Sequence, residues 1–152
     1  MFIGRLYMAD LLIQTGALPW RRTRDDRLEV LLVTGRKSGR WLIPKGWPMS
    51  GKNLAEAAAQ EAFEEAGVEG SIEPEPLGWF VHEKQHVLFG TMAVRIAVHR
   101  LAVERVLATW PEIDQRQRRW FTVKEASEQV KSPALAALIR QLEPRAGPLE
   151  RR

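Results

Sequence analysis

Cysteine is absent from the 152 residues of the chain, and no long uninterrupted hydrophobic stretch occurs in it. Without cysteine, the chain offers no disulfide bond, no thiol nucleophile and no cysteine-based zinc site. A membrane-spanning helix needs about 18 consecutive apolar residues, and no segment approaches that length. The first residues are broken by Arg5 and Asp10, unlike the apolar centre of a signal peptide. We therefore expect a protein of the cytoplasm that makes no membrane contact.

The composition that remains is typical of a compact soluble enzyme. Hydrophobic residues make up 45% and charged residues 28%, and the length suits one domain with a sizeable core. We expect a single domain over residues 1–152, with its core at about residues 9–142 and a loose tail at residues 143–152. The formal net charge of +4 favours a small anionic partner, although a basic surface also serves solubility alone.

Hydrophobic patterns predict alternating strands and helices along the chain. The run LEVLLV indicates a buried strand, because its apolar residues are nearly continuous. Strands are expected near residues 9–19, 28–35, 40–44, 72–83, 87–99, 101–108 and 118–122, and helices near residues 53–66, 123–130 and 133–142. Helices placed between and after the strands predict an α/β fold, an α/β/α sandwich around a mixed sheet.

The best-defined predicted helix lies in the segment GWPMSGKNLAEAAAQEAFEEAGV, residues 46–68. Asn53 is a favourable N-cap, and Glu56 follows at the capping-box position. Alanine, leucine, glutamine and glutamate, all good helix formers, fill the next turns. Gly67 is expected to end the helix, because glycine is the residue that most often closes a helix at its C-terminal end.

Three glutamates, Glu61, Glu64 and Glu65, occupy the last turns of this helix. Residues three and four apart are neighbours on an α-helix, so the three carboxylates repel one another. Negative charge near a helix C-terminus is also unfavourable, by about 0.3–1 kcal/mol for each group. One interpretation is a solvated acidic face. The alternative is a site for a divalent cation such as Mg²⁺, which binds carboxylate oxygens and compensates their charge.

The fixed residues of this segment have the spacing of a known motif, the Nudix box: Gly46, Glu61, Glu64, Glu65, Gly67 and Val68. The chain thus resembles the Nudix hydrolases, loosely over residues 9–142 and specifically in the box. This resemblance implies an α/β/α sandwich and a bound Mg²⁺ or Mn²⁺ ion. It also implies that the three glutamates bind the metal, with help from the carbonyl group of Gly46.

Two positions of the box depart from the family pattern. Lys52 stands where the family has glutamate, and Gln60 stands where it has arginine. In the family these two residues pair with each other. Because both have changed here, no lone charge of the original pair remains. Without the family's pair, the loop before the helix loses one source of rigidity. The three metal-ligand candidates are unchanged.

The reaction that these residues favour is hydrolysis of a phosphoanhydride by a metal-activated water. A bound metal ion neutralises the diphosphate and lowers the pKa of the water, while a carboxylate accepts the proton. The resemblance also implies a further acid from outside the box. Glu112, in the segment TWPEID, is our candidate because a loop residue is free to reach a site, although it could equally be a solvent-facing turn residue. The catalytic candidates are Glu61, Glu64, Glu65 and Glu112.

Basic residues in and before the box are candidates for phosphate binding. Arginine binds phosphate through paired hydrogen bonds, and lysine presents a point charge. The substrate-binding candidates are Arg36, Arg40, Lys45 and Lys52. A second basic group, Arg116, Arg118 and Arg119, precedes Trp120. Solubility is the alternative role for each of these cations.

The substrate class is inferred from the resemblance and from these cations. The segment PKGWPM and the basic loop before it are similar to the branch that hydrolyses diadenosine polyphosphates or diphosphoinositol polyphosphates. A pyrophosphatase for ADP-ribose or nucleotide sugars is the enzymatic alternative. An alternative of another class is a weakly catalytic domain that binds nucleotides or RNA. The repulsive acidic cluster argues against a pure binding role, so a nucleic-acid partner is not expected.

Three other residues have less certain meanings in the sequence. His82 and His86 are four residues apart, but the strand-like alternation around them argues against a shared metal ion. Trp47 directly follows Gly46, and it is interpreted either as a cover over the core or as a substrate contact.

Overall fold

The computed structural model of the chain describes residues 12–88 and 90–145. Residues 9–11 of the first predicted strand and residues 146–152 of the predicted tail lie outside these ranges. The strands are β1 (Ile13–Arg22), β2 (Leu28–Thr34), β3 (Trp41–Leu42), β4 (Lys45–Gly46), β5 (Val68–Ile72), β6 (Gly78–His86), β7 (Gly90–Val106) and β8 (Arg118–Thr122). The helices are α1 (Leu54–Glu61), which continues into a π-helical turn (Ala62–Ala66), α2 (Val123–Gln129) and α3 (Pro133–Arg145).

The strands form one mixed sheet with the order β3-β2-β1-β7-β5 along its main path. Three strands add to this path, since β4 pairs with β1, β6 with β7 and β8 with β2. β1 and β7 are parallel, whereas the other pairs are antiparallel. β7, with 17 residues, is long enough to pair with β6 through its first half and with β5 through its second half. The predicted mixed sheet is confirmed.

Helices cover both faces of this sheet and enclose two hydrophobic layers. On one face, alanines of α1 and the π-helical turn pack against Ala17, Leu31, Val33 and Leu101. On the other face, α2 and α3 pack against Leu18, Val30, Leu32 and Ile96. β2 contributes alternate residues to the two layers, which explains why its LEVLLV run is almost entirely apolar. The predicted α/β/α sandwich is confirmed.

Prolines account for two differences between predicted and observed strands. The strand expected at residues 40–44 is only β3, and a separate short strand, β4, follows Pro44, which lacks the N–H group that a continuous ladder needs. The strand expected at residues 72–83 is interrupted by Pro74 and Pro76. β5 therefore ends at Ile72, and β6 begins at Gly78.

The strands expected at residues 87–99 and 101–108 form the single strand β7. Arg100 lies within β7 without ending it, because its side chain pairs with Glu73 at 2.8 Å. α3 extends to Arg145, beyond the end expected at residue 142 and into the segment expected to be a loose tail.

Candidate active site

The start and the end of the helical segment are held by the residues that the sequence indicates. Asn53 Oδ1 accepts a hydrogen bond from the Glu56 N–H group at 2.8 Å, and Glu56 Oε1 accepts one from the Asn53 N–H group at 2.9 Å. Gly67 ends the π-helical turn in the left-handed conformation, with φ of 64°. A Cβ atom at Gly67 would also overlap Trp110 and Arg118. Conformation and space therefore both require glycine here.

The π-helical turn decides how the three glutamates are presented. Its hydrogen bonds join residues five apart, so each turn holds more residues than a turn of α-helix. Glu65 therefore lies more nearly above Glu61 than α-helical spacing predicts, and Glu64 turns to the side. Glu61 and Glu65 are buried, with 9% and 5% of their surface exposed, whereas Glu64 is partly exposed.

The buried pair, Glu61 and Glu65, lies directly against the backbone of β4. A Cβ atom at Gly46 would overlap the Glu61 carboxylate, so a larger residue here would force that side chain to move. The Lys45 N–H group donates a hydrogen bond to Glu65 Oε1 at 3.3 Å. β4 is itself held in the sheet by its pairing with β1. The sheet thus fixes a backbone edge beside both acids.

Burial and mutual repulsion oppose ionisation of this pair. Burial, and then the charge of Glu65, raises the pKa of Glu61 to about 8. Burial also raises the pKa of Glu65, against the opposing influence of Arg116. The pair therefore tends to retain one proton at neutral pH. A cation beside the two carboxylates would favour the ionised form of both.

Glu64 lies to one side of the buried pair, close enough for its charge to help raise the pKa of Glu61. Its Oε2 accepts a hydrogen bond from Gln60 Nε2 at 2.7 Å. Across residues 12–88 and 90–145, no three acidic or histidine side chains converge closely enough to hold one metal ion together. Of the expected metal ligands, the structure therefore brings together Glu61, Glu65 and Gly46, but not Glu64.

Glu112 reaches the pair from the loop before β8. Its N–H group donates to the Glu64 carbonyl oxygen at 3.0 Å. Arg116 joins the acids, because its Nε donates to Glu112 Oε1 at 2.8 Å and its Nη2 lies 3.7 Å from Glu65 Oε2. Its Nη1 donates to the Thr34 carbonyl oxygen at 3.1 Å. Glu112 thus lies beside the pair, and the guanidinium group of Arg116 is occupied by protein groups.

Arg118 has a structural role. Its Nη1 donates to the carbonyl oxygens of Ala66 and Gly67 at 2.9 and 3.2 Å, and its Nη2 donates to that of Leu107 at 2.7 Å. The guanidinium group also stacks on the ring of Trp110, 3.8 Å from its centre. Arg118 therefore satisfies carbonyl groups at the end of the helical segment, and this use replaces the phosphate-binding interpretation.

A model of the NUDIX domain family matches residues 14–142. The chain belongs to the NUDIX domain family. It is 33% identical over 130 residues to Nudix hydrolase 13, mitochondrial, of Arabidopsis thaliana, a match that covers 75% of this chain and 64% of that protein. The chain thus spans less than two thirds of that relative.

Two other similar proteins lie in the branch that the sequence resembles. The chain is 32% identical over 136 residues to diphosphoinositol polyphosphate phosphohydrolase 3-beta of Bos taurus, covering 85% of this chain and 76% of that protein. The crystal structure of C. elegans Ap4A hydrolase has a TM-score of 0.65 at 17% identity, covering 90% of this chain and 99% of that chain. At that identity the structural likeness supports the Nudix fold alone.

Cellular location stays a prediction for this Nudix chain. In the part of the chain that the structure describes, the helices are all too short or too polar to cross a membrane. The name of the Arabidopsis relative places that protein in mitochondria, so the relatives do not support the cytoplasm in particular.

The two departures from the Nudix box, Lys52 and Gln60, line the same cleft of about 400 Å³. The lining of this cleft also includes Glu56 and Glu69, but neither Glu61 nor Glu65. Lys52 thus faces the outer side of α1 and β5, whereas the buried pair faces β4. The amide group of Gln60 is bonded to Glu64, so the two box positions share a cleft without a direct contact between them among the described residues.

A basic cavity of about 630 Å³ opens between the loop after β2 and the loop before β8. Arg36, Lys37 and Arg116 contribute its positive charge. Arg36 Nη1 donates to Gln115 Oε1 at 3.2 Å, which ties the two loops together. Because Arg116 extends from this cavity to Glu65, the cavity adjoins the acidic pair. Arg40 is exposed and is not among the residues that line it.

Two residues of β6 belong to the surroundings of the site, although the sequence analysis assigned neither to it. Lys84 Nζ lies 5.2 Å from the centre of the Trp47 ring. Burial, and then the charge of Lys84, lowers the pKa of Lys45 to about 8. Burial, and then Lys45, also lowers the pKa of His82. The alternation of basic residues after Phe80 was the available signal, but only the strand pairing shows which face they share.

Proposed function

We propose that this Nudix chain is a metal-dependent hydrolase that cleaves a phosphoanhydride bond in a small phosphorylated substrate. The observation that carries the proposal is the buried pair of Glu61 and Glu65 against Gly46. Such a pair is unfavourable by itself, because both groups resist ionisation where they stand. A divalent cation supplies the missing positive charge, and perturbed acids of this kind cluster at functional sites.

The groups around the pair suit a hard divalent cation such as Mg²⁺ or Mn²⁺. Carboxylate and carbonyl oxygens are the donors that these ions prefer. Glu61, Glu65 and the Gly46 carbonyl group would hold the ion, and Glu64 would join them on leaving Gln60. When bound, the ion supplies charge neutralisation of the diphosphate and a lowered pKa for the attacking water.

Glu112 is our candidate for the group that accepts the proton of the attacking water. It lies beside the acidic pair, and its carboxylate is oriented by Arg116 at 2.8 Å. Its backbone is anchored to the helical segment through the Glu64 carbonyl group at 3.0 Å. A general base needs this kind of fixed position within reach of the proton that it removes.

We also propose that the substrate carries more anionic charge than a single diphosphate, as dinucleoside polyphosphates and diphosphoinositol polyphosphates do. The support is the basic cavity beside the acids, to which Arg36 and Lys37 contribute positive charge. The name of the bovine relative agrees with this class. Lys45 adds a cation beside the acids, whereas Lys52 lines the other cleft and Arg40 lies outside the cavity, so these two would attract the substrate from a greater distance.

A substrate panel tests the proposed reaction. Dinucleoside polyphosphates, diphosphoinositol polyphosphates, ADP-ribose and nucleotide sugars are incubated with Mg²⁺, with Mn²⁺ and with a chelator, and the products are quantified. We expect metal-dependent cleavage that is fastest for the polyphosphates. Glu65→Gln should reduce kcat at least about 100-fold, as the loss of a metal ligand does. Equal turnover in the chelator would reject a metal-dependent reaction.

A charge-removal experiment tests the substrate class. The double variant Arg36→Gln and Arg40→Gln should raise KM for a pentaphosphate-bridged dinucleotide about tenfold, the loss typical of a hydrogen bond to a charged group. Its KM for ADP-ribose should change much less, because ADP-ribose offers fewer anionic oxygens. Lys124→Gln combined with Arg140→Gln, at exposed positions of α2 and α3, removes the same two charges and is the control. Equal losses on both substrates would favour the ADP-ribose or nucleotide-sugar alternative.

A further inference from the structure

β6 carries basic side chains on the face of the sheet where its neighbours are apolar. Alternate residues of a strand share a face, so His82 and Lys84 follow the buried residue Phe80. The residues paired with them on β7 are Val94, opposite His82, and Met92, opposite Lys84. Both basic side chains are partly buried. Beyond Phe80, this face of β6 therefore carries the basic side chains His82 and Lys84 where a core strand would carry apolar ones.

Trp47 links this row to the acidic pair. The ammonium group of Lys84 lies 5.2 Å from the centre of the Trp47 ring, within the range of a cation–π contact. Trp47 directly follows Gly46, whose backbone lies against Glu61. The tryptophan remains 46% exposed, so the side chain is accessible to a ligand. Lys84 is therefore held at the rim of the site that contains Glu61.

The basic groups repel one another and lack direct ionic partners. Burial lowers the pKa of Lys84, and Glu65 opposes that shift. Across residues 12–88 and 90–145, neither Lys45 nor Lys84 forms an ion pair within 4 Å. Lys45 contacts Glu65 through its backbone N–H group at 3.3 Å. The free protein therefore leaves two neighbouring ammonium groups without a contacting anion.

We propose that Lys45 and Lys84, beside Trp47, bind one phosphate group of the substrate. The neighbouring phosphate of the same diphosphate or longer chain would lie over Glu61 and Glu65, where the metal neutralises it. Phosphate suits two lysines because each presents a compact point charge with several donors. The inference deepens the proposed function, on which it rests for the identity of the whole substrate, and it adds Lys84 to the site.

Calorimetric titration with inorganic diphosphate tests this site, once with Mg²⁺ present and once with a chelator. The wild-type protein should bind diphosphate in at least the Mg²⁺ series. Lys84→Gln should weaken that binding about tenfold, the loss typical of a charge-assisted hydrogen bond. Lys84→Arg should keep most of it, because the charge and the donors remain. Lys124→Gln, at an exposed position of α2, removes the same charge elsewhere and should leave the affinity unchanged.

Each outcome of the titration has one meaning. Equal affinity of the wild type and Lys84→Gln would overturn the proposal, and so would an equal loss in Lys124→Gln or an absence of binding to the wild type. Lys84-dependent binding in a chain that hydrolyses no phosphoanhydride would keep the phosphate site and reject the proposed function. In an active chain, Lys84→Gln should raise KM for a polyphosphate about tenfold with a much smaller change in kcat.

Discussion

The acidic pair should make the folding stability of the metal-free protein depend on pH. Glu61 has a pKa of about 8 in the folded chain and an ordinary value of 4.5. Below about pH 4.5 Glu61 is protonated in both the folded and the unfolded chain, so it does not lower the free energy of unfolding. Between about pH 4.5 and 8 the unfolded chain releases the proton and the folded chain keeps it, so the free energy of unfolding decreases as pH rises. Above about pH 8 the loss is complete.

The size of this effect follows from the shift of the pKa. One pKa unit corresponds to about 1.4 kcal/mol, so a rise from 4.5 to about 8 sets an upper limit of about 5 kcal/mol. The proton is shared with Glu65, and part of the Glu61 side chain remains in contact with solvent. We therefore expect about half of the limit, roughly 2–3 kcal/mol, between pH 5 and pH 9.

Urea unfolding in a chelating buffer at about pH 5, 7 and 9 measures this loss. Glu61→Gln keeps the shape of the side chain and removes its titration, so its stability should decrease about 2–3 kcal/mol less than that of the wild type. Glu128→Gln, at an exposed position of α2, should behave as the wild type does. Mg²⁺ added at pH 9 should raise the free energy of unfolding of the wild type. The increase should be much smaller for Glu61→Gln, which lacks one of the metal-binding carboxylates. Parallel pH curves for the wild type and Glu61→Gln would refute the reasoning.

Three other predictions concern the groups around this pair. Glu64→Gln should lower kcat at least about 100-fold in steady-state assays if Glu64 binds the metal; near-wild-type kcat would exclude it from the ligand set. Arg116→Gln should destabilise the metal-free protein by about 3 kcal/mol in urea unfolding, because a buried ion pair loses one partner, and an unchanged midpoint would show that its contacts contribute little. Lys52→Glu combined with Gln60→Arg should show a favourable coupling of about 0.5 kcal/mol in a double-mutant cycle, and additive effects would mean that these positions do not interact.

The parts of the fold that the sequence predicts well depend on local signals. The Asn53 and Glu56 capping box and the Gly67 cap act within a few residues, so their chemistry is readable in sequence and appears unchanged in the structure. β2 was readable because a strand buried on both faces is almost continuously apolar. The boundaries of β3 to β7 were less accurate, since they depend on how prolines and Arg100 are accommodated in the finished sheet.

The arrangement of the site depends on contacts between distant segments, which the sequence shows only in part. The spacing of the three glutamates indicates the site in the sequence, but it does not show that Glu64 bonds to Gln60 while Glu61 and Glu65 are buried. The π-helical turn at Ala62–Ala66 changes how the glutamate side chains are rotated around the helix axis. The residues AFEEA contain no sequence signal that predicts this turn. Lys84 was missed because its place beside Trp47 is set by the pairing of β6 with β7.

The acidic and the basic groups of the site are both shifted toward their neutral forms. Burial and repulsion favour the neutral form of Glu61 on one side and of Lys45 on the other. A direct contact between an ammonium group and a carboxylate would relieve both, yet Lys45 approaches Glu65 through its backbone N–H group. The fold thus keeps opposite charges apart at a cost to the stability of the free protein. A metal–diphosphate complex carries a cation for the acids and an anion for the lysines, so it should stabilise the folded chain more than metal and diphosphate do separately.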